Sequence, residues 1–166
     1  MGTGFHILVL LHLLCVIGGF GALAYNGLYL NLAQRRRAGG TGAVLEINRM
    51  ISGLAEILVY AAAVFGLAAV AASNKHFKFS DAWVSAALAV YIVDIAILHA
   101  WIRPNQRQYT DVVTRLEQPL ADGETLESRT GDVNALQSFE KKVSAGWGVF
   151  NVLVIVAVYL MVFKPK

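Results

Sequence analysis

An all-α membrane protein, four transmembrane helices in an antiparallel bundle with both termini outside, is the fold class this sequence predicts. Three observations predict it. The 166 residues are 57% hydrophobic and 15% charged, with a mean hydropathy of +0.56, too apolar for a soluble domain of this size. The apolar residues fall into four blocks, each long enough at about 1.5 Å per helical residue to cross a hydrocarbon core of roughly 30 Å. The basic residues are shared unevenly between the two ends of those blocks. A strand barrel would instead show short alternating segments, and none occurs.

The expected spans are 5–32, 45–72, 81–102 and 143–163, in a single domain over 1–166. The first opens MGTGFHILVLLHLLC. It has no basic leader region, its apolar run continues past Cys15, and Leu14 is a poor residue before a lipidated cysteine, so it reads as a retained span. One cysteine makes no internal disulfide. Only SNKHFKFS separates spans two and three, which predicts a tight antiparallel pair. Residues 103–142 are a polar excursion, expected in the cytoplasm. Its first part carries Tyr109, Val112, Val113 and Leu116 on one helical face and stops at Pro119, predicting a short amphipathic helix resting at the interface. ADGETLESRTGD is turn-rich linker, and a helix with Asp132 near its start runs into span four.

Arg35, Arg36, Arg37 and Arg49 lie at the first connection, and Arg103, Arg107, Arg115, Arg129, Lys141 and Lys142 at the third. Lys75, Lys78, Lys164 and Lys166 are left for the opposite side, so the bias places the long loop inside and both termini outside. The net charge of +3 is thus a topology signal, and nucleic acid is not an expected partner.

Polar residues recur along the apolar helices at helical spacing. Span two gives Glu46, Arg49, Gly53, Glu56 and Tyr60, and span one gives His12, Cys15, Gly19, Ala22 and Asn26. Span three gives Ala87, Tyr91, Asp94 and Leu98, and span four gives Ser144, Trp147 and Asn151. Lipid does not solvate an ionised carboxylate, and one at mid-depth costs roughly 2.5 to 3.5 kcal/mol, so Glu56 and Asp94 are expected to face protein. The predicted buried seam is Arg49, Glu56, Tyr60, Asp94, Asn26, Asn151 and His99. Within it Arg49 pairs with Asp94 or Glu56, and the other acid is neutral or bonded to Tyr60 or Asn151. Such a seam either fixes helix order or forms a proton, cation or small-molecule site.

Histidines in a four-helix membrane bundle raise haem, yet His12 and His99 lie roughly 15 Å apart along the membrane normal and do not form one bis-histidine pair. No cofactor is expected on this count, and haem b held by His12 with a non-histidine ligand is the alternative. His12 and Cys15, three apart on one face, are the candidate metal ligands, although two are few for a site. Trp83, Trp101 and Trp147 fall near span ends, where interfacial anchors sit, with Tyr109 at a similar level. No catalytic triad, phosphate loop or zinc motif is found.

The segment HAWIRPNQR, the acidic loop after it, the terminal YLMVFKPK and the opening LHLLCVIGGFG resemble a bacterial family of small four-span integral membrane proteins of unknown function. The opening is more distantly similar to the first helix of copper-resistance D-type proteins and of the membrane protoporphyrinogen oxidase that carries haem. The resemblance implies four helices and a multi-pass protein of the bacterial inner (plasma) membrane, with His12 where the relatives' first-helix histidine would be. Asp94 stands where the haem enzyme would have a basic partner in span three, so the oxidase reaction is not carried over.

The expected role is non-enzymatic: a structural or accessory subunit, partnered by the bilayer and by another membrane protein or a second copy through outward small residues Ala62, Gly66 and Ala69. The alternatives are a haem- or metal-binding protein using His12 and a proton- or cation-coupled carrier using Glu56 and Asp94.

Overall fold

The computed structural model describes the backbone of residues 2–36, 41–74, 76–118 and 129–164, with side chains in these segments except at 26–49 and 117. The elements are α1 (Thr3–Arg36), α2 (Thr41–Ala71), α3 (Ala82–Ile97), a π-turn (Leu98–Ile102), α4 (Arg103–Glu117) and α5 (Thr130–Phe163). No strand occurs among the described residues. Four helical stretches are long and apolar enough to cross a membrane, and the molecule is a multi-pass helical bundle. Their outer faces are apolar, as at Leu14, Ile17, Leu54, Ile57, Val152 and Ile155, which is the surface a bilayer solvates.

Antiparallel neighbours run in the order α2, α1, α5, α3. The α1–α2 contact is closest at Gly19, where a Cβ would sit 2.9 Å from the Val59 amide nitrogen and 3.0 Å from the Ala55 carbonyl oxygen. Absence of a side chain is what lets these backbones meet. Ala55, Val59, Ala62 and Ala69 bury the matching stripe of α2. The expected tight pairing of α2 with α3 is not what forms. The turn between them joins their ends, but α2 spends its small-residue stripe on α1, and α3 packs on α5 instead. The Ser73 hydroxyl holds that turn, donating to the Phe77 carbonyl (3.1 Å) and accepting from the Phe77 N–H (3.0 Å). Asn74 takes the left-handed conformation there, at φ 53°, which asparagine tolerates better than most residues.

Pro104 explains the break between α3 and α4. It has no N–H to donate, and its ring clashes with the carbonyl four residues earlier. The chain answers with the π-turn over Leu98–Ile102, directly before the proline, and continues as α4. The amphipathic face of α4 does not rest on the membrane surface. Tyr109 is buried in one core with Val143, Trp147 and Phe150 of α5, which starts far enough upstream to cover it, and Val113 packs against that core. Two anchors assigned from the sequence are thereby corrected, since Trp147 and Tyr109 lie inside this helix contact. Trp101 does lie at the surface, donating to the Lys142 carbonyl at 3.2 Å. Beyond the apolar segment, Arg115 pairs with Asp132 at 3.2 Å, and Arg129 donates to the Gln118 carbonyl at 2.9 Å, closing the end of α4.

Candidate functional site

Two polar features lie within the bundle. The first is a cluster that ties α2 to the α3–α4 strand of helix across the gap between them. Glu56 and Tyr60 are one turn apart on α2, and His99 and Arg103 are one turn apart across the π-turn. The Glu56 carboxylate accepts from the Tyr60 hydroxyl at 2.8 Å, meets His99 Nε2 at 2.9 Å, and takes Arg103 on its other oxygen. Tyr60 Oη also lies 3.0 Å from His99 Nε2. His99 Nδ1 faces the Ile95 carbonyl at 2.9 Å, an acceptor only, so Nδ1 carries a proton. Nε2 faces both the Glu56 carboxylate and the Tyr60 hydroxyl. The Glu56 side chain is 11% exposed, against 40% for Arg103, so the acid is buried and its guanidinium partner reaches it from the rim.

The second feature is a cavity of about 600 Å³ among α1, α2, α3 and α5. It exists because the surrounding positions are small: Ala62, Ala63 and Gly66 on α2, Ala87 on α3, Ala157 on α5. One end of it is lined by the start of α1, the α2–α3 turn and the end of α5, with the Phe5 and Phe77 ring centroids 6.4 Å apart. Lys164 at the end of α5 places Nζ 4.4 Å from the Phe77 ring centroid and 5.6 Å from that of Trp83. From Trp83 at this end, α3 runs eleven residues to the buried Asp94 at the other, a rise of about 16 Å.

Asp94 is 1% exposed, and its Oδ1 has no hydrogen-bond partner among the described residues. A buried polar atom left unpaired costs about 1 to 3 kcal/mol, so its position calls for a reason. His12 lines the middle of the cavity. Its Nδ1 lies 2.7 Å from the Ala62 carbonyl and its ring packs on Gly66, where a Cβ would come within 2.9 Å of it. Because that carbonyl only accepts, Nδ1 is the donor and Nε2 of the neutral ring keeps its lone pair.

The predicted seam thus divides. Glu56, Tyr60 and His99 come together, while Asp94 stands apart from them in the cavity wall, and Asn151 is half-buried on α5. The side chains of Arg49 and Asn26 lie outside the described residues, and so does the pairing expected of Arg49. Cys15 is buried beside the α1–α2 contact, and no group of three histidine, cysteine or acidic side chains suited to a metal ion occurs among the described residues. Ala62, Gly66 and Ala69, expected to face outward as a docking stripe, are turned inward: Ala62 and Ala69 are buried, and Gly66 carries His12. The cause is α1, whose Gly19 lets it lie on that stripe. Arg103 is the residue the sequence reading placed only as a topology charge. Its spacing of four from His99 is the signal that could have found it.

No family model matches the chain, and neither a curated protein nor a solved structure matches it.

Proposed function

We infer that this membrane protein binds a small, largely apolar molecule inside its bundle. One observation carries the reading: a cavity of about 600 Å³ with apolar walls ends on Asp94, a carboxyl buried without a partner for Oδ1 among the described residues. Pockets of this size with few, convergent polar groups are the usual form of small-molecule sites. Alanine or glycine at positions 62, 63, 66, 87 and 157 leaves this space between the helices unfilled. The positive-inside bias would put the Phe77 and Trp83 end of the cavity on the outer side of the membrane, and the resemblance would make that membrane a bacterial plasma membrane.

The test is native mass spectrometry of protein released from lipid nanodiscs after exposure to an extract of small apolar molecules. A discrete adduct is expected on the wild type and absent from Ala87→Trp or Ala63→Phe, which fill the space. Adducts identical in all three proteins would contradict the reading.

A second reading is haem binding, favoured by the His12 tautomer, since a histidine whose Nδ1–H is held by a carbonyl presents Nε2 to a metal. A haem held by this single imidazole, in a pocket whose walls are apolar, would supply redox chemistry. A Soret band that disappears in His12→Ala would support this reading, and protein reconstituted with haem that shows no such band would exclude it.

A further inference from the structure

We propose that the Asp94 end of the cavity is a site for an apolar organic cation, an amine or quaternary onium, which binds at Asp94 in exchange for that carboxyl's proton. The proposal rests on the cavity reading above and names the ligand's class.

Three ligand charges can be weighed against the wall. A purely apolar molecule leaves Oδ1 as unpaired as before. An anion meets a carboxyl 1% exposed in a surrounding of low dielectric, where like charges repel strongly. A cation supplies a counter-charge, a protonated amine also supplies the missing donor for Oδ1, and the pair is neutral as a whole. Before it arrives, an ionised Asp94 would stand alone in an apolar wall, a cost the neutral acid does not bear. The same carboxyl therefore has two alternative occupants, a proton or the cation. Atoms and charge balance simply: the onium and Asp94–COOH give the onium–carboxylate pair, and one proton leaves for solvent.

The other groups around the cavity fit this exchange. Of the titratable groups that line it, α1 contributes His12, α3 contributes Tyr91, the α2–α3 turn contributes His76 and the end of α5 contributes Lys164, while α2 contributes none. Asp94 is the one acid among the described lining residues. His12 directs its Nδ1–H at Ala62, and Lys164 lies over the Phe77 and Trp83 rings, at the end of the cavity away from Asp94. There the rings of Phe77 and Trp83 hold an ammonium group, that of Lys164, at 4.4 and 5.6 Å, so this end of the cavity has aromatic faces suited to a cation.

The experiment compares tetraphenylphosphonium with tetraphenylborate, which share shape and differ in the sign of charge, on full-length protein in nanodiscs, with empty nanodiscs as the blank. The neutral dye N-phenyl-1-naphthylamine reports the cavity itself. Saturable binding of the phosphonium is expected, with proton release into weakly buffered, mildly acidic solution that diminishes as the pH is raised, and no saturable binding of the borate. Asp94→Asn should weaken phosphonium binding at least about tenfold and dye binding by far less. Phosphonium binding without proton release at mildly acidic pH, or equal binding of both ions, overturns the proposal, and neither measurement needs a variant to fold. Dye binding without phosphonium binding overturns the ligand class and leaves the cavity reading standing. Absence of both from the wild type sinks the cavity reading too.

Discussion

Adding one methyl group at Gly19 tests the packing that shapes the cavity. A Cβ there would lie 2.9 Å from the Val59 amide nitrogen, 3.0 Å from the Ala55 carbonyl oxygen and 3.0 Å from Val59 Cγ2. Two of these three atoms are backbone, which no rotamer change moves aside, and carbon contacts are comfortable only at about 3.5 to 4.0 Å. In Gly19→Ala the helices α1 and α2 must therefore separate by about half an ångström to one ångström. Overpacking of this kind costs about 1 to 3 kcal/mol. Alanine also helps a helix by about 1 kcal/mol over glycine, which obscures the cost in a single variant. Gly21, two residues on in the same helix, removes that ambiguity: its Cβ would meet nothing within 4 Å. Gly21→Ala carries the helix gain alone, so the difference between the two variants isolates the contact. Unfolding in mixed micelles, followed by circular dichroism across a titration of denaturing detergent, should place Gly19→Ala about 1 to 3 kcal/mol below Gly21→Ala. Equal stability, or a more stable Gly19→Ala, would refute the close α1–α2 contact. With it would go the wall that seats His12 on Gly66.

The remaining predictions concern the polar groups. In a double-mutant cycle of Glu56→Gln and Arg103→Gln, the Arg103 variant alone should lose about 1 to 3 kcal/mol, because it leaves a buried carboxylate with fewer donors, and the pair should lose less than the sum. Partial exposure of the guanidinium puts the coupling near the lower end of that range, and zero coupling would show that the ion pair does not form. Ser73→Ala removes both hydrogen bonds that hold the α2–α3 turn, so stability should fall by about 1 to 2 kcal/mol and amide exchange at Phe77 should quicken; protection unchanged at Phe77 would contradict the assignment. Trp147 carries a buried indole N–H without a partner among the described residues, so Trp147→Phe should cost less than the about 3 to 5 kcal/mol typical of aromatic truncation to alanine, as judged by the same detergent titration. A loss as large as that of Trp147→Ala would indicate a hidden partner for the indole.

Sequence reading reached the helices more easily than their arrangement. Long apolar runs declare themselves because each must cross about 30 Å of hydrocarbon whatever its neighbours are. The buried acids Glu56 and Asp94 were legible for the same reason, since lipid excludes an unshielded carboxylate. Helix order was not. The short SNKHFKFS connection brings the ends of α2 and α3 together but says nothing of their middles, which are decided by where Gly19 admits the α2 backbone. Trp147 and Tyr109 looked like interfacial anchors because their burial depends on α5 beginning at Thr130 and covering α4. Arg103 reaches Glu56 from the far side of a π-turn, and helical stepping at 3.6 residues misplaces whatever follows such a turn. The cavity was the least legible feature, being a shortage of side-chain volume shared among four helices distant in sequence.

The most direct test of the ligand-binding account is fluorescence titration of N-phenyl-1-naphthylamine into nanodiscs carrying the wild type, Ala87→Trp or Ala63→Phe, with folding of each checked by circular dichroism. Saturable uptake at about one dye per protein chain is predicted for the wild type, and its disappearance for the two filled variants. Purely proportional uptake in all three, no greater than in empty nanodiscs, would contradict the claim that this bundle encloses a binding site.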